Sequence, residues 1–239
     1  MEINQQGMFP QAPVLILAAS SLSKTLPLLI KQYHTQFNIF IHARYSSSGA
    51  CAQLIQTKNP FDLFISANSF YVDQLSALHL IRKESQFTIG AGKVALASLT
   101  PAELNPISLH ELTHSNIKKI AIPQPSVSPY GMAAQHALTQ IGIWQKIEDR
   151  FIYAKDALHA LNLLKAKVVD AAFTSDLLLN NQTTSYTILD DYLHPALAIT
   201  SGIIRGSHHV GAAIRFLNFL KSNEVYSLLS KKSLQHPFQ

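Results

Sequence analysis

The sequence predicts an α/β fold with mostly parallel sheets flanked by helices. Short apolar runs of strand character alternate with segments whose apolar residues recur at helical spacing. Three of the strand-to-helix turns carry small or hydroxyl residues: Ser20-Ser21, Ser47-Ser48-Gly49 and Pro129-Tyr130-Gly131. A hydrophobic share of 47% against 14% charged, in 239 residues, describes a chain that buries a substantial core.

Val14-Leu15-Ile16-Leu17 reads as a buried strand that runs through Ala18-Ala19 into Ser20-Ser21. The helix after it, near residues 22–35, takes its apolar face from Leu26, Leu29, Ile30 and Tyr33. Such a turn leaves several backbone N–H groups without intrahelical partners. The helix dipole places about half a positive charge there, so the position suits a small anion. Residues 37–45 predict a second strand, ending in Ser46-Ser47-Ser48-Gly49, with a helix through Ala50, Leu54 and Ile55. Residues 62–67 are apolar after Asp62 and predict a central strand. Residues 69–81 predict a helix that buries Tyr71, Val72, Leu75, Leu78 and Leu80.

From Gly90-Ala91-Gly92 the chain changes character. Residues 93–99 predict a strand, broken at Thr100-Pro101. A short helix over 108–113 leads to a strand over 119–122. The proline-punctuated segment 123–131 then opens a helix over 132–141. Another helix begins near Asp156-Ala157, and residues 169–174 form the next strand. Near Leu193-His194-Pro195 the chain returns to its first half, through a strand over 196–204 and a helix over 210–221. Asp62 and Asp170 read as carboxylates that position turns.

Several function classes find no support. The net charge is +5, but the basic residues are scattered, and Lys118-Lys119 and Lys231-Lys232 are pairs and not arms, so no nucleic-acid partner is expected. Eleven histidines show no metal-ligand spacing, and the single cysteine offers no zinc framework and no intrachain disulfide. Neither a cation site nor a cofactor is therefore expected. No Gly-x-Ser-x-Gly elbow supports an enzyme, and Cys51 reads as a packing residue. No apolar run reaches the length of a membrane span, and no signal peptide is visible in Met1–Pro13.

Ala18-Ala19-Ser20-Ser21-Leu22, Ser47-Ser48-Gly49 with Asp62–Ala67 after it, Ala121-Ile122-Pro123 through Ala134, Tyr153–Phe173 and Leu189–Pro195 occur in an order and spacing that together resemble one family. From about Val14 to at least Lys221 the chain is similar to the periplasmic molybdate-binding proteins of ABC importers, which are type II periplasmic binding proteins. The resemblance implies two α/β lobes with a ligand cleft between them, crossed near residues 83–90 and 190–196. Residues 1–85 with 194–239 would form lobe I, and residues 86–193 lobe II.

The family holds its oxyanion with hydroxyls and backbone N–H groups. Carried over by position, Ser21 and Ser48 would each give a hydroxyl and an N–H, while Tyr130 and Ala157 would each give a backbone N–H. A position where the family often has a tyrosine hydroxyl falls at Ser175, whose side chain is shorter. The terminus, Ser230–Gln239, lacks the aromatic-glycine ending common in the family.

The implied function is capture of molybdate, with tungstate as a second ligand, and no chemical conversion. The implied partner is an ABC permease of the inner membrane, the implied location the periplasm, and the implied state a monomer. Two neighbouring readings stay open on these residues: a related binding protein for sulfate or another anion, and a cytosolic oxyanion sensor.

Overall fold

The computed structural model describes residues 13–57, 59–99, 106–179 and 184–225. The expected break at Thr100-Pro101, the Lys231-Lys232 pair and the segment Ser230–Gln239 lie outside the described residues. In chain order the elements are β1 (Val14–Ala19), α1 (Leu26–Phe37), β2 (Ile41–Ser46), α2 (Ser48–Gln56), β3 (Leu63–Ser66), α3 (Ser69–Ala77), β4 (Phe87–Gly92) and β5 (Val94–Ser98). There follow β6 (Ile120–Pro123), α4 (Pro129–Gln140), α5 (Trp144–Ile147), β7 (Phe151–Ala154), α6 (Ala157–Lys165), β8 (Ala171–Ser175), β9 (Ser185–Ile188), β10 (Leu197–Ile203) and α7 (Val210–Leu220).

They build two five-stranded sheets, ordered β2-β1-β3-β10-β4 and β7-β6-β8-β5-β9. In the first, β1 pairs in parallel with β2 and β3, and β10 runs antiparallel between β3 and β4. The second repeats the scheme, with β6 parallel to β7 and β8, and β5 antiparallel between β8 and β9. Four strands of each sheet therefore point one way, as the sequence predicts, and the strand that has just crossed from the other sheet is the reversed one. Each sheet with its helices is called a lobe below.

The two central strands of the first sheet show why it needs cover on both faces. Val14, Ile16 and Ala18 of β1, with Leu63 and Ile65 of β3, pack among the buried residues of α1 and α7. The alternate residues, Leu17 and Phe64, pack among Cys51, Ala52, Ile55, Val72 and Leu75 of α2 and α3. This is the period of two that a pleated strand imposes. On the first face the Tyr33 ring meets Phe216 edge-on at 5.0 Å and Phe219 at 5.1 Å. In the second lobe a single cluster gathers Leu96, Ile122, Leu138, Leu161 and Phe173.

Some boundaries differ from expectation for physical reasons. The second strand begins at Ile41 and not at residue 37, because α1 runs to Phe37 and Asn38 caps it in the left-handed conformation at φ 52°. The helix expected over 108–113 is a single 3-10 turn, His110–Thr113. Residues 87–92, placed in the second lobe by the sequence boundary at 86, instead pair with β10 from Phe87↔Ser201 to Gly92↔Leu197. They belong to the first sheet, and the chain crosses at Lys93, the lone residue between β4 and β5.

Candidate functional site

The crossing brings four chain turns together at the boundary between the lobes. β1 runs out at Ala19 into a 3-10 turn, Ser20–Leu22, all three residues buried. That turn packs against the start of α6 and against the turn Asp176–Leu178 that follows β8. Ser21 is 1% exposed, and its Oγ has no hydrogen-bond partner. A buried hydroxyl without a partner is uncommon and calls for an explanation.

The second turn starts α2. Ser47 caps it, its Oγ accepting from the Ala50 N–H at 3.3 Å. Ser48, the first helical residue, is fully buried, and its Oγ accepts the Ala67 N–H at 3.0 Å. The next residue, Gly49, donates its N–H to the Val127 carbonyl at 2.8 Å, so the first lobe is hydrogen-bonded to the loop that opens α4 in the second.

Two helix starts face these turns from the second lobe. α4 opens with Pro129, which has no N–H to leave unpaired, and Ser128 contributes no side-chain cap. The Tyr130 and Gly131 amides are thus among the donors a helix leaves unpaired. α6 opens at Ala157, 1% exposed, behind Asp156, whose carboxylate accepts the His159 N–H at 2.9 Å. Thr174 of β8 ties this start down by donating to the Ala157 carbonyl at 2.8 Å. Burial pushes the Cys51 thiol up to about 12, with the Asp156 carboxylate across the boundary adding to the shift. Cys51 is therefore a neutral packing residue, 0% exposed.

The Tyr130 side chain crosses the boundary. Its phenol accepts a hydrogen bond from Ser175 Oγ at 2.9 Å. Ser21 Oγ lies beside the same phenol, close enough to act on its ionisation but without a well-formed hydrogen bond. Burial, and after it the Asp176 carboxylate, hold the phenol's pKa far above its ordinary value, so Tyr130 is a neutral donor. Gly92 makes room for it, since a Cβ there would lie 2.5 Å from the phenolic oxygen.

Asp176 sits where the chain crosses. Its Oδ1 accepts the Lys93 N–H at 3.1 Å, its own N–H returns to the Lys93 carbonyl at 3.1 Å, and its Oδ2 is buried without a partner. Burial pushes its pKa up to about 6. The Lys93 ammonium reaches Asp191, on the returning crossover, at 2.6 Å. Lys24 donates from the first lobe to the Leu178 carbonyl of the second.

All five residues singled out in the sequence, Ser21, Ser48, Tyr130, Ala157 and Ser175, lie at this boundary, with Ser21, Tyr130 and Ser175 in one cluster. Sequence reasoning assigned Tyr130 only a backbone role, and it passed over Gly92 and Asp176. The Gly90-Ala91-Gly92 run was a signal for Gly92, because consecutive small residues in a strand mark a close approach. Nothing in the sequence marks Asp176.

Two α/β lobes joined by paired crossovers, with hydroxyls and helix starts meeting at their boundary, are the architecture of a binding protein that holds a small solute between lobes. The chain belongs to the bacterial extracellular solute-binding proteins, whose family profile matches residues 14–232. It is thus a binding protein and not an enzyme. Bacillus subtilis YvgL, by name an ABC transporter substrate-binding lipoprotein, is 26% identical over 219 residues, spanning 90% of this chain and 84% of its own. The molybdate-binding protein ModA of Haemophilus influenzae is 24% identical over 225 residues, 91% of this chain and 88% of its own. Among solved structures, the periplasmic molybdate-binding protein of Azotobacter vinelandii superposes with a TM-score of 0.88 at 20% identity, covering 94% of this chain and 99% of its own.

Proposed function

We propose that the chain is the substrate-binding component of an ABC importer and that it captures molybdate, with tungstate as a second ligand. The observation that carries this reading is the buried Ser21 hydroxyl without a partner, in a turn packed against α6 and beside the phenol of Tyr130 from the start of α4. Ser21, Ser48, Tyr130 and Ala157 offer neutral donors only. Such donors stabilise a desolvated dianion when every oxygen accepts hydrogen bonds, each worth about 1.5–3 kcal/mol net. With about five to seven such bonds, less ordering and desolvation costs, micromolar affinity or better follows. The names of the Haemophilus and Azotobacter relatives favour molybdate over other tetrahedral anions. The family supports a location outside the cytoplasm, where a permease reads the closed form and the chain acts as a monomer.

Asp176 favours a second reading. Its unpartnered Oδ2 is an acceptor beside a cluster of donors, and a protonated anion such as hydrogen phosphate needs one acceptor for its O–H.

Thermal unfolding with molybdate, tungstate, sulfate, phosphate and no ligand separates these. A ligand at 100 times its Kd adds about 2.7 kcal/mol, several degrees in a chain of this size. Molybdate and tungstate raise the midpoint under the first reading, phosphate under the second. No shift with any of the four at millimolar concentration rejects both.

A further inference from the structure

Ser175 stands where the resembled family often places a tyrosine hydroxyl, and a serine reaches less far. The structure puts a phenol at the tip of that serine from another element. Tyr130 Oη lies 2.9 Å from Ser175 Oγ, although the two residues are 45 positions apart. Ser175, whose Oγ stands closer to the phenol than to Asp176 Oδ1 at 3.3 Å, is the donor. The phenol's own proton has no acceptor in that bond. Its surroundings fix the tip closely. Tyr130 is 2% exposed, Gly92 of the opposite lobe leaves space only because it lacks a Cβ, and the unpartnered Ser21 hydroxyl stands alongside. A buried hydroxyl without a partner and, beside it, a phenol whose proton the Ser175 bond does not use are what a desolvated anion requires from two sides.

We propose that the Tyr130 phenol donates directly to the bound oxyanion, in addition to the residue's backbone N–H, and that Ser175 is the positioning residue that holds it there. This inference deepens the oxyanion reading and rests on it. Burial, and next the Asp176 carboxylate, keep the phenol protonated well past its ordinary range, so the donor persists at every pH the protein meets. Because a phenol replaces a hydroxyl rooted at position 175, the donor set is anchored on α4, the helix whose start also supplies the Tyr130 N–H. One element of the second lobe then provides two of the contacts that draw the lobes together.

The test is calorimetric titration with sodium molybdate of the wild type, Tyr130→Phe, Ser175→Ala, Gly92→Ala and the two doubles that include Tyr130→Phe. Tyr130→Phe removes one oxygen and keeps the ring and the N–H. It should weaken binding about ten- to hundredfold, the worth of one hydrogen bond to a charged group. Ser175→Ala should weaken binding less, and should have no further effect in the Tyr130→Phe background. Gly92→Ala should weaken binding by displacing the phenolic oxygen. It too should become silent in the Tyr130→Phe background, because the ring carbon beneath that oxygen would stand 3.6 Å from the added methyl, an ordinary contact.

Binding by Tyr130→Phe within twofold of the wild type overturns the inference and leaves the oxyanion reading standing. So does a Gly92→Ala loss that persists in the double. If Tyr130→Phe proves unstable, Ser175→Ala and Gly92→Ala single variants that both bind within twofold of the wild type overturn it instead. A wild type that binds none of molybdate, tungstate, sulfate and phosphate overturns the oxyanion reading, and this inference with it.

Discussion

The Gly49 N–H and the Val127 carbonyl meet at 2.8 Å across the boundary between the lobes. A Cβ at residue 49 would lie 2.8 Å from both the Cα and the oxygen of Val127, backbone atoms that cannot swing aside. This contact between the lobes thus depends on a glycine at the second position of α2. Gly49→Ala should prop the lobes apart, lower oxyanion affinity at least tenfold and enlarge the radius of gyration in small-angle scattering with ligand present. Unliganded stability should change by only about 1 kcal/mol, because the helix gains what the lost hydrogen bond gives up.

The two candidate serines should behave differently without ligand. Ser48 Oγ accepts the Ala67 N–H, so Ser48→Ala leaves a buried donor unpaired and should cost about 1–3 kcal/mol, or several degrees of melting temperature. Ser21 Oγ has no partner to lose, and Ser21→Ala should leave the unliganded midpoint unchanged or slightly higher. Both variants should lose most of the ligand-induced shift. Differential scanning fluorimetry with and without molybdate reads all four values.

Much of this site was legible because strand-to-helix turns leave a local mark. Ser47-Ser48 stands at the start of α2, as its place between a strand and a helical period predicts. Ser20-Ser21 instead lies in a 3-10 turn, and α1 begins only at Leu26 behind Thr25, so the helix expected from about residue 22 starts later. The edge strands β7 and β9 are four residues each and were not predicted: Ser185–Ile188 has no continuous apolar run, and the apolar Phe151–Ala154 is too short to separate from the helices around it. β4, Phe87–Gly92, was read as a crossover because its Thr, Gly and Ala residues carry little strand signal. The meeting of Tyr130 with Ser175 and Gly92 is set by how two lobes pack, which no local period encodes.

Asp176 supplies a pH signature. Burial raises its folded pKa to about 6 from an ordinary value of 3.8. The folded chain therefore binds this proton more tightly than the unfolded chain. The resulting stabilisation is fully present below pH 3.8 and is lost as pH rises through about 6. Asp176→Asn keeps an acceptor for the Lys93 N–H and removes the charge. It should stabilise the protein by on the order of 2–3 kcal/mol at pH 7.5, and by much less at pH 4.5. Urea unfolding at the two pH values checks the difference.

Asp62 should show the opposite sign. Burial by itself would raise its pKa, but hydrogen bonds from Leu15 at 2.8 Å, Ser207 at 2.7 Å and His209 at 3.2 Å outweigh that and hold it below the ordinary value. Its stabilisation is present above the unfolded carboxylate pKa and is lost as pH falls through the folded one. Asp62→Ala should cost about 3 kcal/mol by unpairing a buried network. Oxyanion affinity should not change, because Asp62 stands at the opposite end of β3 from Ser66 and Ala67.

The central claim is that neutral donors from two lobes enclose one oxyanion. Isothermal titration of the wild-type protein with sodium molybdate, in a buffer free of phosphate and sulfate, tests it most directly. The account predicts a saturable one-to-one isotherm with a micromolar or tighter Kd. Heats that never saturate up to millimolar molybdate would contradict it.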